Sequence, residues 1–108
     1  MDGDEAARLR FGEIVAALAD EPDVGLQATK GFGLGGLTVA GRLFAAPRRG
    51  ALLLKLPAAR VSALIASGDG APFDAGKGKP MREWALALPG CDDWLGLARE
   101  ALSFVALR

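Results

Sequence analysis

The stretch from Leu37 to Leu56, LTVAGRLFAAPRRGALLLKL, constrains the fold more than any other, because apolar residues alternate along it in three short runs separated by two turn signals. Leu37 and Val39 alternate with Thr38 and Ala40, and Leu43 and Ala45 alternate with Arg42, Phe44 and Ala46. Leu52, Leu54 and Leu56 alternate with Leu53 and Lys55. A side-chain period of two is that of a strand, so three strands are expected here. Gly41 supplies the positive φ that a two-residue hairpin loop demands, and Pro47-Arg48-Arg49-Gly50 suits a longer turn. Short connections make successive strands antiparallel, and the stretch reads as a meander. That pattern speaks to fold and names no reaction.

The flanking segments supply helices. Asp2 and Glu5 form a capping-box-like pair at the start of a first helix, in which Phe11, Ile14, Val15 and Leu18 recur at i, i+3, i+4 and i+7. Glu21-Pro22 stops it, because the residue before a proline avoids the helical region. From Pro22 to Gly36 the chain reads as a loop, with Phe32 as its apolar anchor. Beyond the meander, Pro57 opens a short helix with Ala58, Val61, Leu64 and Ile65 on its buried face, ended by Ser67-Gly68. Pro72-Phe73-Asp74 suits a short edge strand, and Met81 to Leu88 returns to alternation with Trp84, Leu86 and Leu88 on one face. A last helix starts at Cys91 or Asp92 and runs nearly to Arg108. The expected order is α-β-β-β-α-β-β-α, an α+β two-layer fold with an antiparallel sheet. At 108 residues it forms one domain, 1–108, burying about two thirds of its unfolded surface.

Composition removes several classes of function. Thirteen basic and thirteen acidic residues balance to a net charge of +0, which weakens the case for non-specific adhesion to nucleic acid or anionic membrane. No histidine is present, so the commonest general base and metal ligand are both missing, and Cys91 beside Asp92 and Asp93 is not a zinc constellation. A single cysteine makes no internal disulfide and reads as a structural thiol. No apolar run approaches the roughly 20 residues of a membrane span and no signal peptide is evident, so a cytoplasmic protein is expected. Gly31-Phe32-Gly33-Leu34-Gly35-Gly36 matches G-x-G-x-x-G formally, but a dinucleotide site needs a strand before it and a helix after it, the reverse of the order here. Gly76-Lys77-Gly78-Lys79 lacks the spacing and hydroxyl of a phosphate-binding loop. Asp74 and Glu83 are candidate carboxylates with no nucleophile or metal to pair with. The reading is of a protein that is not an enzyme and needs no cofactor or metal.

Two groups of residues remain as candidates for recognition. Lys30, Arg42, Arg48, Arg49, Lys77, Lys79 and Arg82 lie mostly in loops or turns and are candidates to share one rim that contacts anions or nucleic acid weakly. In the last helix, Trp94, Leu95, Leu97, Ala98, Ala101, Leu102, Phe104 and Val105 cover an arc wider than one sheet needs. Either the helix is wedged between the sheet and another helix, or Trp94, Leu95, Leu102 and Phe104 include a self-association surface.

Thr29-Lys30-Gly31-Phe32-Gly33, Val39-Ala40-Gly41-Arg42-Leu43-Phe44-Ala45, Leu54-Lys55-Leu56-Pro57, Pro72-Phe73-Asp74 and Gly78-Lys79-Pro80-Met81-Arg82-Glu83-Trp84 follow one another in an order and spacing that resembles the TfoX N-terminal domain, known from TfoX/Sxy-like competence regulators. The resemblance covers nearly the whole chain. Members more often carry Met-Phe-Gly where this chain has Gly31-Phe32-Gly33, and a polar residue where it has Ala40. The resemblance implies an α+β two-layer domain with a five-stranded antiparallel sheet, shared with MmcQ/YjbR proteins and similar to secretion chaperones. It also implies a stand-alone regulatory or interaction domain. The wide apolar arc of the last helix, with no catalytic inventory beside it, points to another protein or a second copy in a homodimer as the partner, met through that helix or a sheet edge. The alternative is weak DNA binding in a transcription-related role.

Overall fold

The meander forms as its alternation predicts, with β2 (Leu37–Val39), β3 (Arg42–Arg48) and β4 (Ala51–Lys55) paired antiparallel. A computed structural model of the chain describes residues 3–27, 35–74 and 78–107. Over these the order is α1 (Gly3–Leu18), β1 (Val24–Leu26), β2, β3, β4, α2 (Ala58–Ser67), β5 (Gly70–Pro72), β6 (Trp84–Ala87) and α3 (Trp94–Ala106). The strands make one antiparallel sheet in the order β1-β2-β3-β4-β6-β5, so β6 inserts between β4 and the edge strand β5. The fold is the expected α+β two-layer arrangement with one strand more. That strand, β1, pairs with β2 inside what reads from sequence as loop. Asp2, Phe32, Lys30 and Lys77 lie outside the described residues.

The pairing register sorts the sheet into two faces. Leu37, Ala45, Leu54 and Ala85 are successive cross-strand partners, as are Leu52 and Ala87, and all six are buried on the face beneath the helices. Ala7, Phe11, Ile14 and Leu18 of α1, Val61 and Leu64 of α2, and Leu97, Ala98, Ala101 and Val105 of α3 close this face into one core. Full burial of side chains such as Phe11, Leu52 and Leu54 stabilises by about 1.5–3 kcal/mol each. The first helix uses the residues its periodicity marks, with Val15 at the margin.

Strict alternation fails at Phe44. Ala45 stands opposite Leu37 and Leu43 opposite Thr38, so Phe44 is an extra residue in β3, and the bulge turns both Phe44 and Ala45 toward the core, each at 0% exposure. Gly36, just ahead, is required by close approach. A Cβ there would strike Leu43 Cδ1 and lie 3.1 Å from the Ala45 carbonyl oxygen.

Both hairpins are tight. Ala40 (φ 51°) and Gly41 (φ 80°) join β2 to β3, while Arg49 (φ 48°) and Gly50 (φ 82°) join β3 to β4, with Arg48 opposite Ala51. The longer turn expected over Pro47 to Gly50 is therefore a two-residue loop, and Pro47 sits inside β3 opposite Leu52. Proline is tolerated there because β2 pairs with β3 only as far as Ala45.

In α2 the chain enters through Pro57, whose carbonyl accepts from the Arg60 and Val61 amides at 2.9 and 3.0 Å, and leaves through Gly68 in the left-handed region. Ala58 and Ile65, expected on its buried face, are exposed. The short edge strand forms at Gly70–Pro72, slightly before the expected Pro72 to Asp74. Leu64 packs so close that a side chain on Gly70 would meet its Cβ at 3.0 Å. The α3 helix starts at Trp94, later than Cys91 or Asp92, because Asp93 caps it by accepting the Gly96 amide at 2.9 Å. The Arg60 guanidinium bonds both Glu100 carboxylate oxygens, at 2.9 and 3.2 Å, tying α2 to α3. That hydrogen bond raises the Arg60 pKa above its ordinary value.

One arginine does structural work in the segment ahead of α3. Arg10 of α1 donates to the carbonyls of Pro89 at 3.0 Å and Cys91 at 2.6 Å, and its guanidinium lies 3.7 Å from the centre of the Trp94 ring. The Trp94 indole N–H donates to the Leu88 carbonyl at 3.1 Å. These contacts satisfy the turn carbonyls between β6 and α3 and bury Cys91.

Candidate functional site

Among the described residues no helix packs on the second face of the sheet. Thr38, Leu43, Ala46, Leu53, Ala71, Trp84 and Leu86 belong to it by register. An antiparallel sheet with one uncovered face ordinarily carries polar residues there. Here the large residues of β6, Trp84 and Leu86, point away from the helices while Ala85 and Ala87 point toward them. Lys55 borders the face, with its ammonium 5.0 Å from the Trp84 ring centre and 3.7 Å from the Glu83 carboxylate. Leu53, on the central strand β4 between β3 and β6, is 7% exposed.

The candidate cations do not share one rim. Arg42 begins β3 and Arg48 ends it, a separation of about 20 Å at 3.3 Å per residue. Arg42 borders a pocket of about 460 Å³ beside Asp23, Ala40 and the Arg99–Glu21 ion pair of 3.7 Å. At the opposite end, Arg48 and Arg49 border a cleft of about 540 Å³ formed with Phe73, Pro80 and Leu86. The Arg48 guanidinium lies 5.0 Å from the Phe73 ring centre. A second hollow joins Arg48 and Arg49 to Arg8 and Asp4 of α1. Lys79 and Arg82 are exposed in the segment ahead of β6. Sequence reasoning missed Arg8 and Phe73. Nothing in local periodicity couples α1 to the β3–β4 turn, or Phe73 to Arg48.

The broad apolar arc of α3 is wedged against the sheet and α1, which is the first of its two expected arrangements. Trp94 is 2% exposed and held by Leu88 and Arg10, so it is engaged within the domain and offers no surface to a second copy. Leu95 is exposed, while Leu102 and Phe104 are partly buried against the core.

Among the described residues no group of three His, Cys, Asp or Glu side chains stands close enough to hold a metal ion, and no helix is long and apolar enough to cross a membrane. No family model, curated protein or solved structure matches the chain.

Proposed function

We propose that the protein is a non-enzymatic regulatory domain of the TfoX N-terminal type that acts by binding another protein, or a second copy of itself, through the sheet face opposite the helices. The observation that carries this reading is the half-buried apolar set Leu43, Trp84 and Leu86 on a face that no described helix covers. Burying such a face against a partner removes apolar surface from water at about 25 cal/mol per Å². The resemblance over nearly the whole chain supports the regulatory class. Recognition of duplex DNA is the weaker reading, because Arg42 stands a strand's length away from Arg48 and Arg49.

The test places a photo-crosslinking residue at Leu43 or Leu86, with Ser62 on the exposed side of α2 as control, in cells expressing the full chain. Crosslinks to one defined protein, or to a second copy, from the sheet positions alone support the reading. Their loss in Leu43→Lys, with near-ultraviolet dichroism unchanged, assigns the surface. Equal crosslinking from Ser62, or none from either sheet position, overturns it.

A further inference from the structure

We propose that the cleft beside the β3–β4 turn is a binding site for a nucleoside phosphate, either free or as the 5′-phosphorylated end of a single strand. Arg48 and Arg49 of the turn line this cleft, Arg8 of α1 lines the adjoining hollow with them, and none of the three forms an ion pair with a described residue. Asp74 is the acid on the cleft wall and Asp4 the acid of the adjoining hollow, which leaves the excess charge at this end positive. Arginines grouped this way present several N–H donors in fixed planes, a geometry suited to phosphate oxygens.

The rest of the cleft suits a flat apolar body. Phe73, Pro80 and Leu86 line it, and its volume of about 540 Å³ falls in the range of small-ligand sites. With Arg48 lying over one face of Phe73, a base stacks on the outer face of that guanidinium, continuing a ring–guanidinium–base sandwich while Arg49 turns toward the phosphate. Arg49 holds a left-handed backbone at φ 48°, a conformation that asparagine or glycine adopts at less cost. An arginine kept there at a cost in stability fits a role for its side chain. The two arginines of the cleft are too few to track a duplex, but they match one phosphate and one base.

Calorimetric titration of the full 108-residue chain with adenosine 5′-monophosphate, inorganic phosphate and adenosine at low salt tests the assignment. The nucleotide should bind at least about tenfold more tightly than either fragment. Arg48→Ala and Arg49→Asn should each weaken it about tenfold, Phe73→Ala should bring it to the level of phosphate alone, and Arg42→Ala at the far end of β3 should leave it unchanged. Comparing d(A)6 with and without a 5′-phosphate separates the two sources. Tighter binding of the phosphorylated hexamer than of the mononucleotide identifies a strand end, and equal binding identifies a free nucleotide. The proposal is overturned if the nucleotide binds no more tightly than phosphate, or if Arg42→Ala weakens it as much as Arg48→Ala.

Discussion

Ala40 should be the easiest place to make this domain more stable. Its φ of 51° puts an alanine in the left-handed region, where Cβ crowds the following carbonyl at a cost of roughly 1–2 kcal/mol. The hairpin cannot avoid this, because Val39 stands opposite Arg42 and a two-residue loop between twisted strands needs positive φ at both positions. Asparagine tolerates that region and adds no backbone freedom to the unfolded chain, so Ala40→Asn should stabilise by about 1 kcal/mol. Glycine also relieves the strain but gives back about 0.5–1 kcal/mol in unfolded-state entropy, so Ala40→Gly should fall between alanine and asparagine. Valine, stiff and branched at Cβ, should be worst. Urea denaturation with equal m-values would give the order Asn, Gly, Ala, Val, and a domain of this size should gain about 4–5 °C in Tm for the asparagine variant. An asparagine variant no more stable than wild type, or a valine variant equal to it, would refute the argument that this turn is strained. Arg49→Asn at the other hairpin should stabilise similarly, and the two gains should add because the sites are about 20 Å apart.

Three further outcomes follow from the packing. Phe44→Ala should cost about 3–5 kcal/mol and Leu43→Ala much less, reversing the order if β3 had no bulge; paired denaturation curves decide it. Gly36→Ala should destabilise by about 1–3 kcal/mol, as the new methyl drives Leu43 from its place, and Leu43→Ala in the same chain should recover part of that loss. Arg10→Ala should lose about 2–3 kcal/mol by leaving the Pro89 and Cys91 carbonyls without their charged donor, with a matching change in Trp94 fluorescence.

Much of the fold was legible because the meander and the helices are long enough to show their periods. The faces of α1 and β4 follow directly from Phe11, Ile14 and Leu18 and from Leu52 and Leu54. What stayed hidden depends on partners distant in sequence. Val24-Gly25-Leu26 is too short and too exposed to alternate, and becomes a strand only because β2 offers it an edge. Phe44 reads as solvent-facing until pairing with Leu37 forces the bulge. Ala85 and Ala87 look like weaker strand residues than Trp84 and Leu86, yet close helix packing selects the small side chains for the core. At the candidate site, charge alone picked out Arg48 and Arg49. Phe73 walls the cleft they border and Arg8 the hollow beside it, both from segments remote in the chain.

Burial of the single thiol has a practical consequence. Cys91 lies 5% exposed beneath a turn pinned by an arginine from the opposite end of the chain, so a thiol reagent reaches it only when that pin lets go. The rate of its modification in native buffer therefore meters how often the first helix parts from the start of the last, with no engineered cysteine needed. A faster rate in Arg10→Ala than in a globally matched destabilised variant would separate that local opening from complete unfolding.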